Sequence, residues 1–203
     1  MARNRTQERK RQRRKRNQLR IACWNVRSFS GKDQEIIMEL IEPKIDICTI
    51  SETKKRGRDT LEYNGYILAY SGKPEDSRAA SGVVTLINST LANNIKNIEY
   101  KSDRSINMSV NLEKTMLHIL SVYAPDARRP DQEAHDFYDQ LQSTIDNIPY
   151  QECVMILGDL NATIGNEIIA GVKNWFNEET LNDRGEMLID FCAHNKLKIN
   201  NLF

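Results

Sequence analysis

Residues 156–165 read ILGDLNATIG, an apolar run that ends in a polar pair. The four preceding residues, ECVM, extend the run, so the pattern predicts a buried β-strand over residues 152–162. Successive side chains of a strand alternate between its two faces, and Asp159 and Asn161 therefore point to the same side. A carboxylate and an amide that leave one strand end together can reach into a shared cleft.

Three other predicted strands also end in polar side chains. Asn25 follows the apolar stretch LRIACW, Glu52 follows KIDICTIS and Tyr123 follows HILSV. Strand ends on one side of a layered domain converge, so we expect these three side chains around the cleft that Asp159 and Asn161 face.

The rest of the sequence alternates strand patterns with helical ones. Further strands are predicted at residues 64–72 and 81–88 and in a hairpin at 106–125, and helices after Lys32, after Pro130 and from Asn182 or Asp183. LKINNLF (197–203) is interpreted as a last strand, and the alternating residues 105–112 as an antiparallel strand with one face in water. Helices outside two such sheets would make an α/β fold, a four-layer α/β/β/α sandwich.

Charge divides the chain near residue 20. Residues 1–20 carry ten Lys/Arg and one acidic residue, a net charge of +9, whereas the other 183 residues carry 19 basic and 27 acidic side chains, a net charge of −8. A segment this basic, with so little to bury, is expected to be disordered. We therefore predict a disordered basic arm over 1–20 and one folded domain over 21–203, long enough for a core.

The basic arm suggests a partner. Its densest part is Arg13, Arg14, Lys15 and Arg16. Such arms bind DNA, and also RNA, by counterion release, although a nuclear localisation signal or a solvated tail has the same composition. No apolar run approaches the ~20 residues that span a bilayer, and the N-terminus lacks the apolar region of a secretory signal. We expect a nuclear or cytoplasmic protein that is not secreted and has no membrane partner.

The four cysteines are far apart along the chain: Cys23, Cys48, Cys153 and Cys192. They lack the paired spacing of zinc sites, and each sits among apolar neighbours. We therefore expect four small buried side chains in a reducing compartment.

The residues at the strand ends suit phosphoryl chemistry. Glu52 and Asp159 supply the anionic oxygens that Mg²⁺ prefers, and Mg²⁺ usually combines few carboxylates with water and phosphate oxygens. Such an ion polarises a phosphoryl group and stabilises the leaving oxygen. Asp159 could instead orient the attacking water, and Asn161 and Tyr123 could donate hydrogen bonds to charge on the phosphate. Taken singly, each of these residues could equally form a turn.

The motifs ACWNVRS, ISETKK, SGVV, SVYAP and ILGDLNA follow one another in the order found in the endonuclease/exonuclease/phosphatase superfamily. The downstream NDRGEMLIDFCAHNKLKINNLF resembles the AP-endonuclease-like endonuclease domain of non-LTR retrotransposons, and the craniofacial development protein 2-like proteins derived from it. The resemblance covers about residues 20–203. It implies a deoxyribonuclease I-like sandwich that uses Mg²⁺, or Mn²⁺ in its place, and no small-molecule cofactor, to cleave phosphoesters with an in-line water.

The resemblance also implies roles for individual residues. Asn25 matches an asparagine beside the metal, and Glu52 matches the metal-binding glutamate. Tyr123 matches a tyrosine that contacts the phosphate, and Asp159 and Asn161 match the catalytic pair.

A second group of residues is expected near nucleic acid. Asn182 matches an asparagine that lies near DNA in the superfamily. Lys54 and Lys55 directly follow the ISE motif, where they would contact phosphates or form a solvated turn. Trp175 and Phe176 could stack on an extruded base, but capping the core is the interpretation we favour.

Two motifs of the active relatives are not found before Phe203: an acidic (I/L)DY-like strand and a Ser-Asp-His segment. The histidines present, His118, His135 and His194, lack the neighbours of that motif, so we expect structural or surface roles for them. Loss of a positioned acid–base group reduces rates by roughly 10² to 10⁴. Without its last strands the domain is also expected to expose a sheet edge.

These features favour one function and leave two alternatives. The first is a Mg²⁺-dependent endonuclease domain of retrotransposon origin, a phosphoric diester hydrolase that acts on DNA and is weakened or inactive because the Ser-Asp-His segment is missing. The alternatives are a non-catalytic nucleic-acid- or chromatin-binding protein with a relict nuclease fold, and a phosphatase of inositol phosphates.

Overall fold

The computed structural model describes residues 18–175 and 179–200. The strands in these ranges are β1 (Ile21–Asn25), β2 (Ile47–Ser51), β3 (Arg58–Tyr63), β4 (Tyr66–Ser71), β5 (Val83–Asn88), β6 (Ile95–Ser102), β7 (Ser105–Leu112), β8 (Thr115–Tyr123) and β9 (Cys153–Asp159). The α-helices are α1 (Asp33–Ile41), α2 (Asp131–Asp146) and α3 (Asp183–His194), and a 3₁₀ helix covers Ser89–Asn94. Most of the predicted basic arm lies outside the described residues. No described helix is both long and apolar enough to cross a membrane.

The strands form two sheets that pack face to face. The first has the order β1-β2-β5-β4-β3 and the second the order β6-β7-β8-β9. Within them β1 is parallel to β2 and β8 is parallel to β9, while the other pairs are antiparallel. Strand β1 of the first sheet contacts β9 of the second. The parallel pairs therefore lie together on one side of the sandwich and end in the same direction.

Three apolar layers hold the sheets and helices together. Helix α1 covers the outer face of the first sheet, with Ile37 packed against Ile50. Ile47 and Ile119 belong to the layer between the sheets. Helices α2 and α3 cover the outer face of the second sheet, where Phe137 is among the contacts. The predicted four-layer α/β/β/α sandwich is confirmed.

Two strands of the structure have no counterpart in the sequence prediction. Strands β3 and β6 are the outermost strands on the side away from β1 and β9. Their sequences, RDTLEY and IKNIEYKS, contain too few apolar residues to produce a strand pattern. Pairing with one neighbouring strand is sufficient to order such polar edge strands.

Three other expectations about the fold are wrong. Leu197–Asn200 form no strand; instead Ile199 donates its backbone N–H to Val172. Most of the polar face of β7 is buried rather than wet: Ser105 donates to Gln140 of α2 at 3.1 Å, and Asn107 and Ser109 are bonded to side chains of the neighbouring strands β6 and β8.

The cysteines form the third correction. Cys48 and Cys192 are buried as expected, whereas Cys23 and Cys153 are exposed. The two exposed cysteines lie on β1 and β9, which pair with one strand each among the described residues. Their apolar sequence neighbours indicated burial, but their position at a sheet edge leaves them open to solvent.

Candidate active site

The ends of β1, β2, β8 and β9 bring the predicted site residues together. In the first sheet Asn25 lies opposite Ser51, the residue before Glu52. In the second sheet Tyr123 lies opposite Asp159. A hydrogen bond of 2.6 Å from Asn25 Nδ2 to Asp159 Oδ2 joins the two sheets at this point. Residues separated by 134 positions in sequence thus meet at one site.

Asp159 is held at both of its carboxylate oxygens. Oδ2 accepts the bond from Asn25, and Oδ1 accepts the backbone N–H of Asn161 at 2.9 Å. The Asn161 side chain donates in turn to the carbonyl of Ala124 at 2.7 Å, and Ala124 donates its N–H to the carbonyl of Asp159 at 2.9 Å. These bonds fix the orientation of the carboxylate and fasten the segment after β8 to the end of β9.

The loops around the site contain most of the unusual backbone conformations of the described chain. Seven described residues other than glycine have positive φ, and four of them lie at or beside the site: Arg27, Glu52, Lys54 and Asn161. A left-handed conformation is uncommon for residues with a Cβ and is often retained at functional sites. The positive φ angles of Glu52 and Lys54 restrict the backbone of the turn after β2 and thereby set the direction of the Glu52 side chain.

Tyr123, at the end of β8, is buried, with 8 % of its surface exposed. Burial raises the pKa of its hydroxyl, the nearby Glu52 and Asp159 carboxylates raise it further, and Arg104 acts in the opposite direction. The Arg104 guanidinium lies 5.3 Å from the centre of the tyrosine ring and donates to the Tyr123 carbonyl at 3.2 Å. Tyr123 therefore remains a neutral hydroxyl that can donate a hydrogen bond. Glu52 and Asp159 lie at the same end of the sandwich, because Glu52 follows the residue opposite Asn25, and Asn25 donates to Asp159.

The acidic groups of the site fit a hard divalent cation with few protein ligands. No group of three or more His, Cys, Asp or Glu side chains suited to a metal occurs in residues 18–175 and 179–200. Glu52 and Asp159 are the carboxylates at the strand ends, whereas the nearby Asp126 is paired with Arg128. The buried hydroxyl of Ser51, which precedes Glu52 in sequence, has no hydrogen-bond partner in the described structure. Mg²⁺ is usually held by one or two carboxylates together with water and phosphate oxygens. A zinc-type cage of several protein ligands does not fit these residues.

None of the three histidines is bonded to the Asp159 carboxylate in the described structure. His118 is buried in β8, with Nε2 2.6 Å from Glu152 and Nδ1 3.1 Å from the Ser109 hydroxyl. His135 on α2 and His194 at the end of α3 are exposed. They have the structural and surface positions that the sequence predicts.

The two lysines after Glu52 differ in their surroundings. Lys54 is exposed, with its Nζ 3.9 Å from a Glu52 oxygen, and so remains available to an anion. The Lys55 ammonium instead lies 4.5 Å from the ring centre of Tyr70 and 5.4 Å from that of Phe29. Lys55 thus has a packing role, and its contact with nucleic acid stays a prediction.

The structure also describes two further residues that the sequence placed near nucleic acid, Asn182 and Trp175. Asn182 caps α3: its Oδ1 accepts the N–H groups of Gly185 at 2.8 Å and Thr163 at 3.2 Å. This explains the residue structurally, and its proximity to DNA stays a prediction. Trp175 is 59 % exposed, so the expectation that it caps the core is wrong.

Several predicted residues cannot be placed. Phe176 and the arm residues Arg13, Arg14, Lys15 and Arg16 lie outside the described residues.

Two functional candidates escaped the sequence interpretation. Arg104 contacts Tyr123 from the turn between β6 and β7, and Arg128 lies in the segment after Tyr123. Arg104 had no sequence signal because β6 itself was not recognised. Arg128 had one: the PDARRP sequence places two arginines directly after a strand that ends in a site residue.

The chain is similar to known proteins in sequence and in structure. It is 34% identical over 182 residues to craniofacial development protein 2 from Bos taurus, an alignment that covers 89% of this chain and 30% of the relative. The endonuclease domain of TRAS1, a telomere-specific non-LTR retrotransposon, superposes with a TM-score of 0.62 at 13% identity and covers 88% of this chain and 71% of its own. An AP endonuclease from Archaeoglobus fulgidus gives a TM-score of 0.62 at 16% identity, covering 87% of this chain and 70% of its own.

The chain thus spans under a third of the length of its mammalian relative, and the solved structures support the fold. The Endonuclease/Exonuclease/phosphatase family model matches residues 22–177, which include the site ends of all four strands. By its sequence, its sandwich and the strand ends that meet at Asp159, this chain belongs to the Endonuclease/Exonuclease/phosphatase family and has the fold of its nuclease-type neighbours.

Proposed function

We propose that this chain is a phosphodiesterase domain that cleaves DNA with Mg²⁺ as its cation. The observation that carries the proposal is the hydrogen bond between Asn25 and Asp159, which joins the two sheets beside Glu52 and Tyr123. A retrotransposon origin is part of the proposal, supported by the similarity to the TRAS1 endonuclease domain.

The charges around the site suit an anionic phosphodiester. Lys54 lies beside Glu52, and Arg104 lies over Tyr123. These two cations offset the Glu52 and Asp159 carboxylates, which by themselves would repel a phosphate, while Arg128, in the segment after Tyr123, is paired with Asp126. Electrostatic stabilisation of charge that develops on the phosphate is often the largest catalytic effect.

Glu52 would hold the cation, with Asn25 in support. When bound, the ion would polarise the phosphoryl group and stabilise the leaving oxygen. The positive φ of Glu52 sets the direction of its side chain, and Lys54 lies 3.9 Å from one of its oxygens.

Asp159 would orient the attacking water. Its carboxylate is fixed by one hydrogen bond at each oxygen, from Asn25 and Asn161, and each oxygen retains capacity to accept a bond from a water molecule. A nucleophile held in line contributes by orientation, since the geometry is already set before the reaction. The neutral Tyr123 hydroxyl and the remaining N–H of the Asn161 amide can donate to the phosphate oxygens.

The proposed activity is weak. No histidine lies at the site in residues 18–175 and 179–200, so the leaving oxygen lacks a positioned imidazole among these residues. We expect a rate about 10² to 10⁴ below that of an enzyme with a complete set of acid–base groups.

Nicking of supercoiled plasmid DNA tests this function. Wild-type protein is expected to nick in Mg²⁺ and not in EDTA, and Glu52→Ala and Asp159→Ala are expected to lower the rate by about 100-fold or more. Glu113→Ala, which removes an exposed acid from the β7–β8 turn at the opposite end of the strands, is the matched control and should retain activity.

Two outcomes would favour other functions. If DNA is bound but not nicked in Mg²⁺ or Mn²⁺, the chain is a nucleic-acid- or chromatin-binding protein. Phosphate release from inositol phosphates with DNA left intact would identify a phosphatase instead.

The basic arm is proposed to add non-specific affinity for DNA or RNA, in keeping with a nuclear or cytoplasmic location. Residues 1–20 contribute a net charge of +9. Because each neutralised phosphate releases counterions, removal of the arm should make the salt dependence of DNA binding clearly less steep. An unchanged salt dependence would contradict this role.

A further inference from the structure

Arg128 lies at the tip of a short segment that is braced at both ends. At its start, Ala124 donates to the Asp159 carbonyl at 2.9 Å and accepts from the Asn161 amide at 2.7 Å. At its end, the buried Arg184 of α3 donates to the Arg129 carbonyl at 3.2 Å. The segment is therefore tied directly to the Asp159–Asn161 pair and to the core.

The Arg128 guanidinium is held by Asp126 within this segment. Arg128 Nε lies 3.2 Å from Oδ1 and Nη2 lies 2.9 Å from Oδ2, and the Arg128 backbone N–H also donates to Oδ1 at 2.9 Å. Hydrogen bonding to Arg128 lowers the pKa of Asp126 to about 2, so the pair is charged at neutral pH. One edge of the planar guanidinium is thus fixed in a bidentate contact.

The other edge of the guanidinium faces solvent. The Arg128 side chain is 89% exposed, and its Nη1 has no hydrogen-bond partner in the described part of the chain. A guanidinium has five N–H groups in a rigid fork, so three remain after Asp126 takes two. Planar N–H pairs match the oxygens of a phosphate, and here the side-chain orientation is already set.

We propose that Arg128, positioned by Asp126, binds a phosphate of the nucleic-acid backbone next to the one held between Glu52 and Asp159. This proposal rests on the proposed function for the identity of the ligand. The geometry of the segment argues for this location, because it begins at Ala124, the residue after Tyr123, and Ala124 is hydrogen-bonded to Asp159 and Asn161.

The proposal is tested by DNA binding of the full chain in EDTA, with a double-stranded oligonucleotide and a series of salt concentrations. Arg128→Ala is expected to weaken binding about tenfold and to reduce the salt slope by about 1, the loss of one phosphate contact. Lys114→Ala removes an exposed cation from the β7–β8 turn, at the opposite end of the strands from Tyr123, and should change neither quantity. Equal behaviour of the two variants would overturn the proposal.

Asp126→Asn separates positioning from net charge. The substitution removes a negative charge near the site, so electrostatics alone predicts tighter binding of DNA. If Asp126 holds Arg128 in place, binding should instead weaken about threefold, because the freed arginine must lose side-chain entropy when it binds. Tighter binding by Asp126→Asn would contradict the positioning role. Arg128→Lys, which keeps the charge but not the fork, should bind almost as weakly as Arg128→Ala.

The Arg128–phosphate contact and the proposed nuclease function are tested independently by these experiments. If wild-type protein does not nick DNA but Arg128→Ala still lowers affinity and salt slope, the phosphate contact stands and the nuclease function does not. If wild-type protein nicks DNA and Arg128→Ala leaves affinity, salt slope and KM unchanged, the nuclease stands and the phosphate contact is excluded. Thermal melting of Arg128→Ala confirms that its folded fraction matches that of Lys114→Ala.

Discussion

On one side of the sandwich the sheets end in β3 and β6, and on the opposite side they end in β1 and β9. The first pair is charged along its length, with RDTLEY in β3 and IKNIEYKS in β6. The second pair, IACWN and CVMILGD, has a single charge, the site residue Asp159. Charged side chains on edge strands prevent pairing with other chains, so among the described strands only the β3–β6 side has that protection.

The unprotected side is also the side that carries the site. Asn25 and Asp159 are the last residues of β1 and β9, and their hydrogen bond joins the two sheets at this edge. A lysine or glutamate along either strand would add a competing charge near the groups that we propose hold a cation and a phosphate. The charged side chains that prevent aggregation and the residues of the candidate site thus lie on opposite edges of the sandwich.

Glycines on the two sides should respond very differently to an added methyl group. At Gly158 in β9, φ is +149° and a Cβ would lie 1.8 Å from the backbone oxygen of Val122. The backbone of β8 cannot move aside without breaking the ladder that positions Tyr123 and Asp159. We expect Gly158→Ala to lower the free energy of unfolding by about 3 kcal/mol, measured by urea denaturation.

Gly65, in the turn between β3 and β4, is the matched control. Its φ is +80°, but a Cβ there would meet no heavy atom within 4 Å. Gly65→Ala therefore adds backbone strain alone, about 1 kcal/mol. Similar losses for the two variants would show that the β8–β9 contact is not as close as the structure has it.

The two sides also differ in how far the sequence predicts them. Strands β1, β2, β8 and β9 are rich in apolar residues, so their positions and the polar residues that end them were predicted from the sequence alone. Strands β3 and β6 were missed because edge strands are specified by one paired neighbour and by charge, which leaves no apolar period. The hydrophobic pattern therefore predicted the strands that end at the candidate site and did not predict the charged edge strands β3 and β6.

Details of the site depend on contacts that no sequence pattern encodes. The convergence of Asn25 and Asp159 followed from strand order, but the bond between Asn161 and Ala124 needed coordinates. Burial was misjudged wherever it depends on a neighbouring element: Ser105 is covered by α2, and Cys23 is exposed because β1 is at an edge. Composition gives the polarity of a residue but not what is packed over it.

A lysine introduced on one edge of the sandwich should change self-association more than a lysine introduced on the other edge. Trp24 on β1 and Leu61 on β3 are both apolar edge residues, 41% and 37% exposed. Because an uncharged edge can pair with a second copy, we expect wild-type protein to self-associate, and Trp24→Lys to weaken that association about tenfold, roughly 1.4 kcal/mol. Sedimentation velocity over a range of concentrations measures the change.

Leu61→Lys places the same charge on the edge that is already charged. It should leave the association constant unchanged, since β3 takes no part in the contact. If instead Leu61→Lys and Trp24→Lys weaken association equally, self-association does not occur through the β1–β9 edge. The two edges then do not differ in their tendency to pair with a second copy.

The smallest effect concerns a single ion pair on the charged side. Glu99 on β6 lies 2.9 Å from the Lys101 ammonium and accepts from the Asn107 amide at 3.1 Å. These contacts, Lys101 first and then Asn107, lower the pKa of Glu99 below its ordinary value of 4.5. A carboxyl whose pKa is lower in the folded protein stabilises the fold above its ordinary pKa, and this contribution is lost as the pH falls through the lowered pKa.

Glu99→Gln should therefore cost less than about 1 kcal/mol at pH 7, because both charged groups of the pair are partly exposed to solvent. The difference from wild type should shrink as the pH falls below 4.5 and vanish once Glu99 is protonated in the folded protein. Urea unfolding at pH 7 and at low pH measures both, with Glu113→Gln in the exposed β7–β8 turn as the control that should show no such dependence. If the difference in the free energy of unfolding persists at low pH, Glu99 acts through packing rather than charge. The charge on β6 would then serve solubility and edge protection without stabilising the sheet.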